Sequence, residues 1–245
     1  MMESGRAEEI LATARCGWGI AGTVLKYIRL MRHQGLGQVT QVMPYEKCRD
    51  VNPEFWEELG GLDPGEVAGR TGAVFRNGRY CLPFLDRELV IDPKARLIQV
   101  NGASEADPGF RACLTALLYL LRLDINALGP PTSPLEFDGG ATFFRGHHGL
   151  PHVPLEERFG RDTAGLATAG ENLHGEKRTA GDAAVALRVF PGLTVEVIIW
   201  QADEEFPAQA SFTLPAHLDR FWHLDAVWGL LNLVVQEILR AGSRD

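Results

Sequence analysis

Cysteine is scarce in this chain and poorly placed for chemistry. Its 245 residues hold four, Cys16, Cys48, Cys81 and Cys113, lying 32, 33 and 32 positions apart. There is no Cys-x-x-Cys pair to clamp zinc or run a dithiol exchange, so an iron–sulfur or zinc-ribbon reading is poor. Cys81 falls in a strand-like run and Cys113 on the apolar stripe of a helix, where a thiol acts as a small hydrophobe. Long hydrophobic runs are missing too. The apolar stretch 17–25 is followed by Lys26 and Arg29 and falls far short of the roughly 20 residues a membrane span requires. Glu3, Glu8 and Glu9 do not suit a secretory leader. Positive charge is in deficit, with 24 Lys and Arg against 32 Asp and Glu, a net charge of −8. That balance argues against nucleic acid or an anionic membrane as partner, since both are gripped mainly by clustered Lys and Arg. A P-loop, a G-x-S-x-G elbow and an H-E-x-x-H helix are also absent. The expectation is a cytoplasmic protein with no nucleic-acid or membrane partner.

What is present is a globular composition, 45% hydrophobic and 23% charged. A chain of this size buries about 70–75% of its unfolded surface, so it needs neither disulfides nor a structural metal to fold. The text changes near residue 43. Residues 1–42 carry five basic and three acidic residues, which leaves 19 basic against 29 acidic for 43–245. Translation starting at Met43, with 1–42 an over-extended reading, is one expectation. The other is an amphipathic arm using Ile10, Leu11, Ile20, Val24, Leu25, Ile28 and Leu30. A native peptide from upstream of Met43 would decide between them. Residues 43–245 are expected to form a single domain.

Within that domain the local signals are ordered. Pro53 precedes a short helical run over 54–59, and Asp63-Pro64 caps another over 65–70. Asn77-Gly78 predicts a type I′ hairpin, and Asp92-Pro93 marks a second. From Pro108 the apolar residues Phe110, Cys113, Leu114, Leu117, Leu118 and Leu121 recur at helical spacing, in a helix that should stop before Gly129-Pro130-Pro131. A loop-rich stretch runs through Pro154, and 162–173 reads as a short helix. Three antiparallel strands then follow, the first two turning at Pro191-Gly192. Leu224, Val227, Trp228, Leu231, Val234, Val235 and Ile238 line a closing helix that ends at Gly242. The fold class is α+β, a mainly antiparallel sheet with packed helices.

The strings FPGLTVEVIIW, QADEEFPAQASF and HLDAVWGLLNLVVQEIL, with LEFDGGATFFRGHHGLP and AGENLHG before them, resemble an uncharacterised family catalogued as domain of unknown function 3786. The likeness runs from about Pro44 to Leu239. It implies anaerobic metabolism and an accessory role beside iron–sulfur and methyl-transfer machinery, but no activity, substrate or cofactor. The sequence departs from the family at Leu214-Pro215, where Phe-Asp is common, and at His174, where a second Gly is usual.

Two constellations carry chemistry. Asp203, Glu204 and Glu205 follow a strand end and offer oxygen donors to a hard divalent cation, or a general base. The plainer alternative is a solvated bend with Phe206-Pro207 tucked into the core. His147, His148 and His152 lie in the loop RGHHGLPH, where two could share an ion with Glu136, Asp138, Glu204 or Glu205. Packing or surface histidines are the plainer alternative, and His174, His217 and His223 read as structural. Arg145 could clamp a carboxylate or phosphate. Trp200, Trp222 and Trp228 are expected in the core. The leading expectation is a small-ligand-binding accessory protein with the histidine loop and the acidic bend as one pocket rim. Its partner would be an unidentified small molecule or metabolic protein. The alternative is a metal-dependent enzyme in which two of His147, His148 and His152 with Glu204 or Glu205 hold a divalent metal and a remaining carboxylate activates water.

Overall fold

The computed structural model describes residues 46–102 and 107–243. Contacts divide the chain after Met43, and every described residue belongs to the unit Pro44–Asp245. The expected 1–42 extension lies outside the described residues.

The described chain opens with two proline-led helices, α1 (Pro53–Gly61) and α2 (Pro64–Thr71). Asn52 and Asp63 cap them by accepting the backbone N–H groups of Glu54 (3.0 Å) and Glu66 (2.9 Å). Proline suits a first turn because its missing N–H would have no intrahelical partner there. From α2, Arg70 reaches the carbonyls of Leu120, Leu121 and Leu123 at 2.5, 3.2 and 2.7 Å. These close the C-terminal end of α3 (Phe110–Arg122), where free carbonyls and the helix dipole both favour a cation. The helix starts after Pro108 because Gly109 has φ 87°, and it stops well before Gly129.

Strands β1 (Val74–Arg76), β2 (Arg79–Phe84), β3 (Arg87–Asp92) and β4 (Leu97–Val100) form one antiparallel meander. Asn77 and Gly78 take φ 53° and 77°, as a type I′ turn demands. The two hairpins read from sequence are joined by a third, a two-residue turn at Leu85-Asp86 between Phe84 and Arg87. Leu85 has φ 51°, a region that bulky side chains avoid. No Gly or Asn signals this turn in the sequence.

The second sheet has the order β5-β9-β8-β7-β6 and is also antiparallel. Its strands are β5 (Pro131–Thr132), β6 (Glu176–Arg178), β7 (Ala183–Phe190), β8 (Leu193–Trp200) and β9 (Gln209–Pro215). The three central strands match the expectation, and Gly192 turns the first pair with φ 68°. A Cβ there would come within 2.8 Å of Ile125. Val185, Leu187, Val195, Val197, Ile199, Phe212 and Leu214 alternate onto one buried face. Helices α5 (Val153–Phe159) and α6 (Thr163–Asn172) pack on the sheet, α6 so closely that a Cβ on Gly170 would meet Val185 at 2.6 Å. Behind them lies α7 (Leu224–Ala241), which also packs on α3. The arrangement is α+β, as expected.

A bulge marks the end of β7: Arg188 stands opposite Thr194 and Phe190 opposite Leu193, leaving Val189 as the extra residue. Its carbonyl accepts Leu85 N–H at 3.3 Å, tying the two sheets together. Phe190 sits 5.5 Å from the Phe84 ring and 4.8 Å from that of Tyr119. The Tyr119 hydroxyl is shared between the carbonyls of Thr71 and, at 2.7 Å, Pro191. On α7, Glu237 lies between Arg87 (2.5 Å) and Arg240 (2.6 Å).

Two expectations are corrected. Trp222 is buried, but Trp200 is 43% exposed at its strand end and does not pack the core. Phe206 is 61% exposed rather than tucked inward, because the bend that carries it stands off the sheet. Among the described residues no helix is long and apolar enough to cross a membrane.

Candidate functional site

The loop between α3 and α5 is built from short turns that press its aromatic residues onto the first turn of α7. Gly139, with φ 73°, starts the four-residue helix α4 (Gly140–Phe143). The fit there is close, since a Cβ on Gly140 would lie 2.3 Å from the Pro134 carbonyl oxygen. A 3₁₀ turn, Gly146–His148, follows, and the indole N–H of Trp228 donates to the Gly149 carbonyl at 3.0 Å. That bond pins the histidine loop to α7.

The predicted site residues separate. His148 stacks on Phe143 at 4.6 Å and meets Trp228 edge-on at 5.8 Å. His152 turns elsewhere, stacking on Phe212 of β9 at 5.3 Å. Its Nε2 is buried without a partner among the described residues, and burial holds its pKa below the usual histidine value despite nearby Glu156. His147 and Arg145 are exposed at the rim of the loop. Asp203, Glu204 and Glu205 are exposed as well. Asp203 closes its own turn, accepting the N–H groups of Glu205 (2.8 Å) and Phe206 (2.7 Å). Those backbone bonds hold its carboxyl below the ordinary aspartate range.

Helix α5 shows why the two constellations do not share a rim. Ala202 N–H bonds the Gly160 carbonyl (2.9 Å), Ala210 N–H bonds the Glu156 carboxylate (3.0 Å), and Phe212 stacks on His152. The bend therefore adjoins the C-terminal end of α5, whereas His152 sits at its N-terminal end, seven residues away along the helix. Among the described residues no three His, Cys, Asp or Glu side chains converge as metal ligands. The candidate ligands His147, His148, His152 and Glu205 are not brought together.

Asp225, at the start of α7, lies within electrostatic reach of the loop. Burial raises its carboxyl above the ordinary aspartate range, while the Ala226 N–H, His223 and His148 pull it partly back. Sequence reasoning missed this residue because an acidic side chain in the first turn of a helix is ordinary. The ring partners of His148 that sequence reasoning missed are Phe143 and Trp228.

Two concave regions lie beside these elements. One, of about 540 Å³, is lined by Glu136, Asp138, His217, Asp219 and Arg220, with Asp138 N–H bonding Asp219 at 3.0 Å. The other, of about 390 Å³, lies by β6 and the Leu85 turn. His217 and His174, expected to be structural, line one each, and both have positive φ. One further spacing that sequence reasoning missed, Gly17-x-Gly19-x-x-Gly22, lies outside the described residues.

No curated protein and no solved structure matches the chain. A family model does match, over residues 63–237, from the cap of α2 to Glu237 of α7. The chain belongs to the family described as Domain of unknown function (DUF3786).

Proposed function

We propose that the protein is a small-ligand-binding accessory protein whose site is the surface where the histidine loop meets α7. The observation that carries this reading is His148, stacked on Phe143 and edge-on to Trp228, with the half-buried Asp225 three residues before Trp228 on α7. A half-buried carboxylate and an imidazole offer hydrogen-bond acceptors and a ring N–H donor to a polar ligand. Phe143, His148 and Trp228 are all half-buried, so their exposed ring faces suit a small, planar, neutral polar ligand that stacks on them. Arg145 and His147 stand at the rim, while Asp203, Glu204 and Glu205 form a separate acidic surface. The family resemblance supports a place in anaerobic metabolism, and the acidic charge supports a cytoplasmic protein without nucleic acid.

The test is NMR on side-chain-labelled protein titrated with neutral planar heterocycles. We expect the His148 ring and Trp228 indole signals to move together, saturably, and the response to vanish in Asp225→Asn. Ligands that bind elsewhere, or an unchanged response in the variant, would overturn the assignment. Elemental analysis of protein purified without oxygen addresses the metal-enzyme alternative. Stoichiometric metal that disappears in His148→Ala would favour that alternative.

The stability of the Asp225→Asn variant gives a second check. Asp225 titrates higher folded than unfolded, so its contribution favours folding at low pH and is lost as pH rises through the folded value. The variant should therefore be more stable than the parent at neutral pH. That advantage should fade on acidification toward about pH 4, as thermal unfolding across pH would show.

A further inference from the structure

The groove by β6 gathers positive charge in an otherwise acidic domain, and strand register explains how. Glu176 stands opposite Ala186 and Arg178 opposite Ala184. Alternation brings Arg188 to that same face, and Thr194 lies directly across from it. Small alanines beneath the long side chains leave a concave space of about 390 Å³, within the range of small-molecule sites. Pro83 and Leu85 supply an apolar side to the same space.

The charges here are not balanced. Glu176 offers one oxygen to each guanidinium, at 2.9 Å from Arg178 and 3.9 Å from Arg188. One carboxylate thus faces two cations whose donors outnumber its oxygens. The backbone around the groove is irregular at three points: Leu85 (φ 51°), His174 (φ 57°) and the bulge at Val189. Costly backbone of this kind clusters where a site is being shaped.

We propose that this groove binds a small organic oxyanion, a carboxylate or phosphate on a compact apolar body. The anion sits between Arg178 and Arg188, with Thr194 and His174 as further donors and the body against Pro83 and Leu85. Glu176 is the resident competitor, and its carboxylate marks the position the ligand's oxygens take. This assignment is independent of the His148 site.

Isothermal titration of the full chain at fixed ionic strength, with benzoate and separately with inorganic phosphate, tests it. Saturable binding of either supports the groove, and which one binds identifies the anion class. Arg188→Ala should weaken binding about tenfold or more, the loss of one charge-assisted contact. Glu176→Gln should tighten it about three- to tenfold, since a competing anion is removed. Arg188 and Glu176 side chains are 69% and 59% exposed, so both variants should fold, as thermal unfolding will verify. No saturable binding of either anion, or affinities within about twofold of the parent in both variants, overturns the proposal.

Discussion

Glu237 and Glu176 each stand between two arginines, yet their surroundings are opposite. The Glu237 side chain is 9% exposed and joins β3 to α7 through Arg87 at 2.5 Å and Arg240 at 2.6 Å. Glu176 lies on a sheet edge, well solvated, with Arg188 only loosely held at 3.9 Å. Water decides what the same three groups do. Where it is excluded, removing a partner strands a charge, so the cluster acts as a strut between the four-stranded sheet and the helices. Where it is present, the ion pairs contribute little to stability, and the guanidiniums are available to something else.

That contrast is easily broken. Glu237→Gln should cost about 3 kcal/mol in urea denaturation, because the largely buried Arg87 loses its 2.5 Å partner and keeps only the looser Asp86 carboxylate at 3.6 Å. A loss below about 1 kcal/mol would place this cluster with the exposed ones. His174→Gly should act in the other direction. Relieving left-handed strain in an exposed residue should stabilise the domain by about 0.5–1 kcal/mol, while the lost ring weakens oxyanion binding in the groove. An unchanged melting temperature would mean that the backbone there is unstrained. The finest distinction comes from double-mutant cycles. Coupling between Glu176 and Arg188 should be under about 0.5 kcal/mol, and that between Glu237 and Arg87 several times larger.

The sequence disclosed elements whose ends carry local chemistry. Asn52, Asp63 and Asp162 are caps that the structure uses, and Asn77-Gly78 and Pro191-Gly192 are turns. It did not disclose elements set by distant neighbours. The Leu85-Asp86 turn has no turn residue of its own and depends on the Val189 carbonyl from the second sheet. Strands β5 and β6 are too short and too polar to show a period, and they exist because β9 and β7 offer open edges. The same division holds for function. The histidine loop was legible as a cluster of imidazoles. Its partner on α7 was not, because Trp228 lies far away in sequence (Gly149 to Trp228 is a separation of 79) and resembles an ordinary helix residue. Arg178 and Arg188 converge only through strand register, which no local pattern reports.

The Tyr119 hydroxyl touches chain that arrives from Thr71 on one side and Pro191 on the other. One side chain from α3 is thereby answerable to the end of α2 and to the turn between β7 and β8. Any cut placed between positions 71 and 191 parts Tyr119 from one of its two carbonyls. Dissecting the domain at the loop after α3 would leave the Pro191 carbonyl on the other fragment. Fragments made there should be judged by whether they find each other again, not by whether either folds alone.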